Sequence, residues 1–318
     1  MAIARKVPRM TSPVQQSDSP ATHRRAVPYQ AFKTVLFALK VSRPGFWLTA
    51  LWFYLFPLGQ THLWTTPHFW FGCFFVMFPF GLFIYGWNDL MDADVDRLNP
   101  RKGSFLFGPK GTDEELRALP WIIAIVHLPL LCYLGLFVGS RFLWWYLVLA
   151  VATAIYNWPR AGFKNWPALD VLNQAGYLLV FAFSSRLNHV PQLPWSSMAF
   201  GVMFAMHSHL LGQIMDLEPD RQAGRRTTAV VCGRLTTKFL IMGLMVAESI
   251  VVFVWIGDSI IAGFLAFGAL WFLIDAALLY GSDPYPGFLM RCFLIGWNLA
   301  AVVSAPWVWA RGSFMQRV

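Results

Sequence analysis

Asn88-Asp89-Leu90-Met91-Asp92-Ala93-Asp94-Val95-Asp96 closes an almost wholly apolar run, Phe69 to Trp87, and opens a basic loop containing Pro and Gly. If the helix of that run continues, each residue turns it by about 100°, so Asp89, Asp92 and Asp96 fall within a sector of roughly 60°. Asp94 lies on the far side. Three carboxylates on one face repel one another unless a cation sits among them. Hard oxygen ligands at the mouth of an apolar helix suit Mg2+, which keeps some of its waters and completes its shell from phosphate oxygens. Asp216 and Asp220 repeat the geometry four residues apart, again just after an apolar run. The two clusters supply the expected metal ligands, Asp89, Asp92, Asp96, Asp216 and Asp220, and the expected catalytic set, Asp89, Asp92, Asp216 and Asp220.

A chain of 318 residues that is 57% hydrophobic and 13% charged is a polytopic membrane protein. The apolar runs predict an all-α integral membrane bundle of nine spans, at roughly 45–60, 69–88, 120–139, 142–157, 167–184, 196–215, 236–256, 259–280 and 288–310. The first and fourth are short for a span of about 20 residues. No alternating ten-residue segments of the β-barrel kind are visible. Lys and Arg set the orientation. Arg24, Arg25, Lys33, Lys40 and Arg43 precede the first span, and the loops with Arg97, Arg101, Lys102 and Lys110, with Arg160 and Lys164, and with Arg221 to Lys238 fall on the same side. That bias predicts a cytosolic N-terminus and both acidic clusters facing the cytosol. Arg311 and Arg317 on the opposite side run mildly against it.

The net charge of +9 is then mostly topology, with no case for a nucleic-acid partner, because the basic residues lie in short loops. Cys73, Cys132, Cys232 and Cys292 show no paired spacing, so neither a disulfide framework nor a zinc site is indicated. Residues 1–30 are rich in Ser, Pro, Gln and Arg and lack the apolar core of a signal peptide. A disordered cytosolic tail is expected over 1–40, the transmembrane catalytic domain over 41–310, and a short C-terminal tail over 311–318.

Other residues gather round the clusters. Asn88 adjoins the first. Arg43, in Ser42-Arg43-Pro44, is either an interfacial anchor or a phosphate contact, and Lys164 divides in the same way between topology and anion binding. Counting back from Asp89 puts Tyr85, Leu82 and Phe78 on the acidic face, a candidate aromatic wall, with ordinary packing the alternative for any single ring. Asn173 and Asp170 lie at the cytosolic end of span five, where polar groups face the bundle interior. His207 and His209 are about 200° apart on a helix and cannot share a metal. His209 and Gln213 do align with Asp216 and Asp220, while Glu218 points away. Gln222-Ala223-Gly224-Arg225-Arg226 turns guanidinium groups back toward the carboxylates. Asp275 and Arg291 read as a structural ion pair; Glu248, in mid-membrane, has no assigned role.

With both clusters in view, the chain resembles the UbiA superfamily of intramembrane prenyltransferases, a nine-helix family with two Asp-rich motifs at cytosolic helix ends. Asn88, Asp89, Asp92 and Asp96 match its first motif, and Asp216, Asp220, Gly224, Arg226 and Thr227 its second, with Arg226 where the family often has Lys. Lys164 matches the family's loop Lys. Ser42-Arg43-Pro44 and Asn99-Pro100-Arg101-Lys102-Gly103 look like the carotenoid (lycopene) elongase branch, and the chain is also similar to a branch of fungal membrane-bound sesquiterpene cyclases. The resemblance implies Mg2+-dependent ionisation of an allylic prenyl diphosphate, with Asn88, Arg43, Lys164, Arg225, Arg226, Tyr85, Phe78, Gln213, His209 and Asn173 binding substrate. Cyclisation of farnesyl diphosphate to a sesquiterpene is the leading expectation, and transfer to an aromatic or olefinic acceptor the alternative. A transporter is the remote third. The lipid bilayer and the prenyl diphosphate are the expected partners, protein partners are left open, and the endoplasmic reticulum is the default membrane for a eukaryotic source.

Overall fold

The structure, a computed structural model, describes residues 20–315, with side chains from residue 30 onward. Expectations placed on residues 1–19 and 316–318, Arg317 among them, lie outside the described residues, as do the side chains of Arg24 and Arg25. Two compact units divide between Leu36 and Phe37. The described part of the first is the beginning of a helix; the second holds everything that follows.

All named elements among the described residues are helical: α1 Pro20–Val41, α2 Trp47–Leu55, α3 Pro67–Met77, α4 Pro79–Met91, α5 Ala93–Leu98, α6 Asp113–Tyr133 and α7 Arg141–Asn157. After these come α8 Leu169–Leu172, α9 Leu178–Leu187, α10 Trp195–Gln222, α11 Thr228–Cys232, α12 Arg234–Val251, α13 Ser259–Ile274 and α14 Gly287–Arg311. Among the described residues, six continuous helical stretches are long and apolar enough to cross a membrane: Pro67–Met91, Asp113–Val138, Trp195–Gln222, Arg234–Ile256, Ser259–Leu279 and Gly287–Arg311. The segments expected at 45–60, 142–157 and 167–184 are helical but do not reach that length. α2 has 9 residues and α7 has 17, while a 3₁₀ stretch, Asn173–Tyr177, separates α8 from α9. Among the described residues the protein is thus an all-helical membrane protein in which six of the nine expected spans reach spanning length.

Pro79 lacks the N–H that would continue α3, so α4 begins there as a new helix, with Phe78 at the junction (φ −96°, ψ −64°). α6 starts in a capping box between Thr112 and Glu115, with Asp113, Glu114 and Glu115 in its first turn, where the helix dipole favours negative charge. The main core is largely aromatic. Trp52, Phe53 and Phe56 meet Phe181, Phe200 and Phe204, and Phe314 near the C-terminus stacks on Phe56 at 4.2 Å.

A second, smaller cluster joins Phe37, Ala38 and Val41 to Leu82 and Leu119. The i, i+1, i+4 spacing makes an apolar stripe at the end of α1, so the tail expected up to residue 40 is helical from Pro20 and packed from Phe37. Beyond it the chain turns at Arg43, which has left-handed φ 52°. Ser42 crosses α4 at Gly81, where a Cβ would meet the Ser42 carbonyl oxygen at 2.5 Å. That close crossing sets Arg43 beside the carboxyl end of α4.

Candidate active site

A cavity of about 380 Å³ runs between α2, α4, α7, the α8–α9 segment, α10 and α14, within the size range of ligand pockets. Along α3 and α4 its lining extends from Val76 to Asp92 at the end of α4, and on α10 from Asp220 to Phe204. Each is 16 residues, or about 24 Å at 1.5 Å rise per residue. One end is charged and the other apolar.

At the charged end, Asp92, Asp96, Asp216 and Asp220 line the cavity together with Asn88. Each carboxylate is held by a cation from another part of the chain. Asp92 accepts from both Lys164 and Arg225. Arg225 also reaches Asp220 at 3.3 Å, so one guanidinium bridges the two acidic motifs. Asp216 pairs with Arg101 and accepts from the Asn99 amide at 2.6 Å. Lys102 lies 2.8 Å from Asp96 and 2.7 Å from Asp89. Burial raises the Asp96 carboxyl to about 6, with the nearby Lys102 ammonium acting against the rise. Burial also pushes the Lys164 ammonium down, opposed by Asp92.

Asp89 is the member the structure sets apart. It is 3% exposed and does not line the main cavity. Its Oδ1 holds Arg43 and Lys102, each at 2.7 Å, and both of these cations do line the cavity. Asp89 therefore aims two cations where the sequence reading made it a ligand itself. The cavity wall on α4 runs along Asn88 and Gly81, about 100° round the helix from Asp89, and continues to Met77 at the end of α3.

The same rotation corrects Phe78. It packs with Leu82 against the Phe37–Leu119 cluster, outside the cavity, while Phe80 and Ile84 face in and Tyr85 remains. Tyr85 shares a 3.0 Å hydroxyl contact with Tyr177 and lies under the Arg43 guanidinium, 4.4 Å from its ring centre. Gln213, His209 and Asn173 line the cavity as expected. Gln213 donates to His209 at 3.0 Å and to Asp170 at 2.6 Å. Asp170 itself is tied up by the Thr228 backbone N–H and hydroxyl, leaving it a brace between α8, α10 and α11.

Arg226 is exposed and outside the lining, so of the two adjacent guanidinium groups only Arg225 belongs to the site. Asp94 is 97% exposed and Glu218 pairs with Arg234, in line with leaving both out. Arg291 does not pair with Asp275; buried Lys238 does, at 2.7 Å. The sequence reading noticed Asn99, Arg101 and Lys102 only as a turn with two cations. Their signal was the return of a basic loop to a carboxylate face, and only the fold shows which carboxylates they reach. Tyr156, Tyr177, Phe204, Phe293 and Trp297 complete the wall, and none carried a pattern that separates it from ordinary core.

Among the described residues no three carboxylate, His or Cys side chains are already gathered as a metal cage. The donor set nevertheless fits a hard divalent cation. Oxygen donors of Asn88, Asp92, Asp96, Asp216 and Asp220 face one cavity end. Five largely buried cations, Arg43, Arg101, Lys102, Lys164 and Arg225, are the counter-charges of these carboxylates and of Asp89, and guanidinium and ammonium groups of this kind also suit an anion.

The cavity thus joins a charged end, with carboxylates and cations, to an aromatic chamber inside a membrane bundle, the shape and chemistry of a site for an amphiphile. The chain belongs to the UbiA prenyltransferase family, which matches residues 46–296. Membership makes it an enzyme and sets the transporter alternative aside. A lycopene elongase/hydratase of Corynebacterium glutamicum is 25% identical over 269 residues, covering 80% of this chain and 92% of that protein. A lycopene elongase/hydratase of Haloferax volcanii is 34% identical over 167 residues, covering 51% of this chain and 52% of the other. Among solved structures, a UbiA homolog from Archaeoglobus fulgidus bound to DMAPP and Mg2+ superposes with a TM-score of 0.63 at 22% identity, covering 84% of this chain and 99% of that one. The same homolog bound to GPP and Mg2+ gives 0.58 at 19% identity. At these identities the likeness establishes the fold.

Proposed function

We propose that the protein is a Mg2+-dependent intramembrane enzyme that ionises farnesyl diphosphate and lets the allylic cation close on its own chain, as a sesquiterpene cyclase. The observation that carries this reading is the continuity of the carboxylate–cation end with the aromatic chamber in one cavity. Arg43, Arg101, Lys102, Lys164 and Arg225 bind the diphosphate and strengthen their hydrogen bonds as charge develops on it. Asn88, Asp92, Asp96, Asp216 and Asp220 would hold Mg2+, which would supply the remaining neutralisation of the leaving group. The C–O bond then breaks with its electron pair going to the diphosphate, the chain's own double bonds attack the cation, and the cyclised cation gives up a proton to the released diphosphate, leaving a neutral hydrocarbon.

The chamber suits the tail. From Tyr85 to Val76 the wall descends nine residues, or about 13 Å. An extended chain advances roughly 3.5 Å for every three backbone bonds, so this depth takes about eleven bonds, the main-chain length of a farnesyl group. Ring faces of Tyr85, Tyr177, Phe204 and Trp297 stabilise a cation beside them, and the apolar lining disfavours water, which would give an alcohol. The proposal includes nine membrane crossings, with α2, α7 and the α8–α9 segment as the three short ones. It places the charged end at the cytosolic face, as the Lys and Arg bias argues, and the enzyme in the endoplasmic reticulum membrane if the source is eukaryotic.

Transfer to an olefinic acceptor is the second reading, favoured by the names of the lycopene elongase/hydratase relatives. One experiment separates the two. Membranes containing the protein are incubated with farnesyl diphosphate and Mg2+ without any acceptor, and the volatile hydrocarbons are analysed. A cyclic sesquiterpene that is lost in Asp92→Ala supports the cyclase. Diphosphate release only after an olefinic or aromatic acceptor is added supports transfer.

A further inference from the structure

His207 and Glu248 form a buried pair that no step above uses. His207, on α10, is 1% exposed, and Glu248, on α12, is fully buried, with Nδ1 to Oε1 at 2.6 Å. The site lies 13 residues along α10 from Asp220, or about 20 Å from the charged end. Ionisable groups at that depth are costly and face the bundle interior. The plain alternative is an interhelical tie, like the Lys238–Asp275 pair.

The ring contacts distinguish His207 from such a tie. Its imidazole stands edge-on to Phe204, with centroids 5.1 Å apart, and to Trp297, at 5.3 Å and 85°. Phe204 and Trp297 in turn pack at 5.1 Å, and both line the cavity. Trp297 belongs to α14, the least buried of the six long helices at 11%. Elsewhere on α14, Asn298 donates to the Gly45 carbonyl at 2.6 Å and Trp307 to Asp258 at 3.0 Å, so these bonds seat the helix and His207 bears on the Trp297 ring itself. Glu248 holds one nitrogen of His207, and this sets the ring against the corner that Phe204 and Trp297 form.

We propose that His207 and Glu248 are positioning residues that fix the Phe204–Trp297 corner of the chamber and so select which product the bound prenyl chain gives. The proposal rests on the prenyl diphosphate reading above. Contacts of this edge-on kind are directional, so losing them lets the corner adopt other rotamers without disturbing the diphosphate end.

The test measures diphosphate release and product distribution for wild type, Glu248→Gln, Glu248→Leu, Trp297→Phe and the Glu248→Leu/Trp297→Phe double variant. Glu248→Leu and Trp297→Phe are each expected to shift the ratio of main to minor products by roughly threefold to tenfold. In Glu248→Leu the KM for prenyl diphosphate and the Mg2+ requirement stay at wild-type values. Glu248→Gln, which keeps the hydrogen bond, retains the wild-type profile, and the double variant shifts no further than either single one. An unchanged profile in Glu248→Leu, or additive shifts in the double variant, overturns the proposal. Should Glu248→Leu not accumulate, His207→Asn carries the same prediction. Failure of both to accumulate while Glu248→Gln does assigns the pair to helix association alone and also overturns it. A wild type that releases no diphosphate from any allylic diphosphate removes the functional reading instead.

Discussion

Replacing Lys102 by Ala removes the ammonium that bridges Asp89 and Asp96 at 2.7 and 2.8 Å. The three side chains are 7%, 4% and 13% exposed, so solvent screens the contacts weakly. A unit charge pair at 4 Å is worth about 4 kcal/mol gross at an effective dielectric of 20. Desolvation offsets most of this, leaving on the order of 1.4 kcal/mol as the net competition of Lys102 with a metal for Asp96. Removing the competitor should therefore tighten Mg2+ binding about tenfold. The same ammonium is a donor to the leaving diphosphate, and losing one such donor costs about 10²- to 10³-fold in kcat. Metal affinity and turnover thus move in opposite directions. Mg2+ titration by calorimetry on the purified protein in detergent reads the first, and single-turnover diphosphate release reads the second. Weaker Mg2+ binding in Lys102→Ala, or turnover at the wild-type rate, would refute the idea that site cations pass from the carboxylates to the diphosphate.

Arg225→Ala should lower kcat by about 10²-fold or more, because the bridge between the two acidic motifs and a diphosphate donor go together; Arg226→Ala should stay within about twofold of wild type, and steady-state rates of the pair decide it. Phe80→Ala should alter the product distribution, whereas Phe78→Ala should lower thermal stability by a few kcal/mol and leave the distribution unchanged, as gas chromatography and a melting curve would show. Gly81→Ala should destabilise the protein and weaken substrate binding, since its Cβ would push the Ser42 carbonyl and with it Arg43; a wild-type melting temperature and KM would count against that crossing. Chelation of divalent ions should abolish diphosphate release, with activity restored by Mg2+.

Much of the site follows from spacing. Residues three and four apart on a helix share a face whatever surrounds them, so Asp89, Asp92 and Asp96, and Asp216 and Asp220, form carboxylate patches in any membrane helix long enough to carry them. The apolar runs likewise demand helices, because lipid offers the backbone no partners. These short-range rules marked the charged end, the aligned His209 and Gln213, and Glu218 and Asp94 as bystanders.

Spacing has no information on which way a helix faces its neighbours. Tertiary packing rotated the functional face of α4 by one residue, burying Leu82, packing Phe78 at the junction against α1 and α6, and turning Asn88 and Gly81 to the cavity. It made Asp89 a support for Arg43 and Lys102, chose Arg225 over Arg226, and gave Asp275 to Lys238 and Glu248 to His207. The reason is physical. A long cation reaches whichever carboxylate lies within its few ångströms of travel, and that distance is set by helices far apart in the chain. Length and hydropathy determine that helices form in the bilayer; only the packed bundle decides which side chains meet inside it.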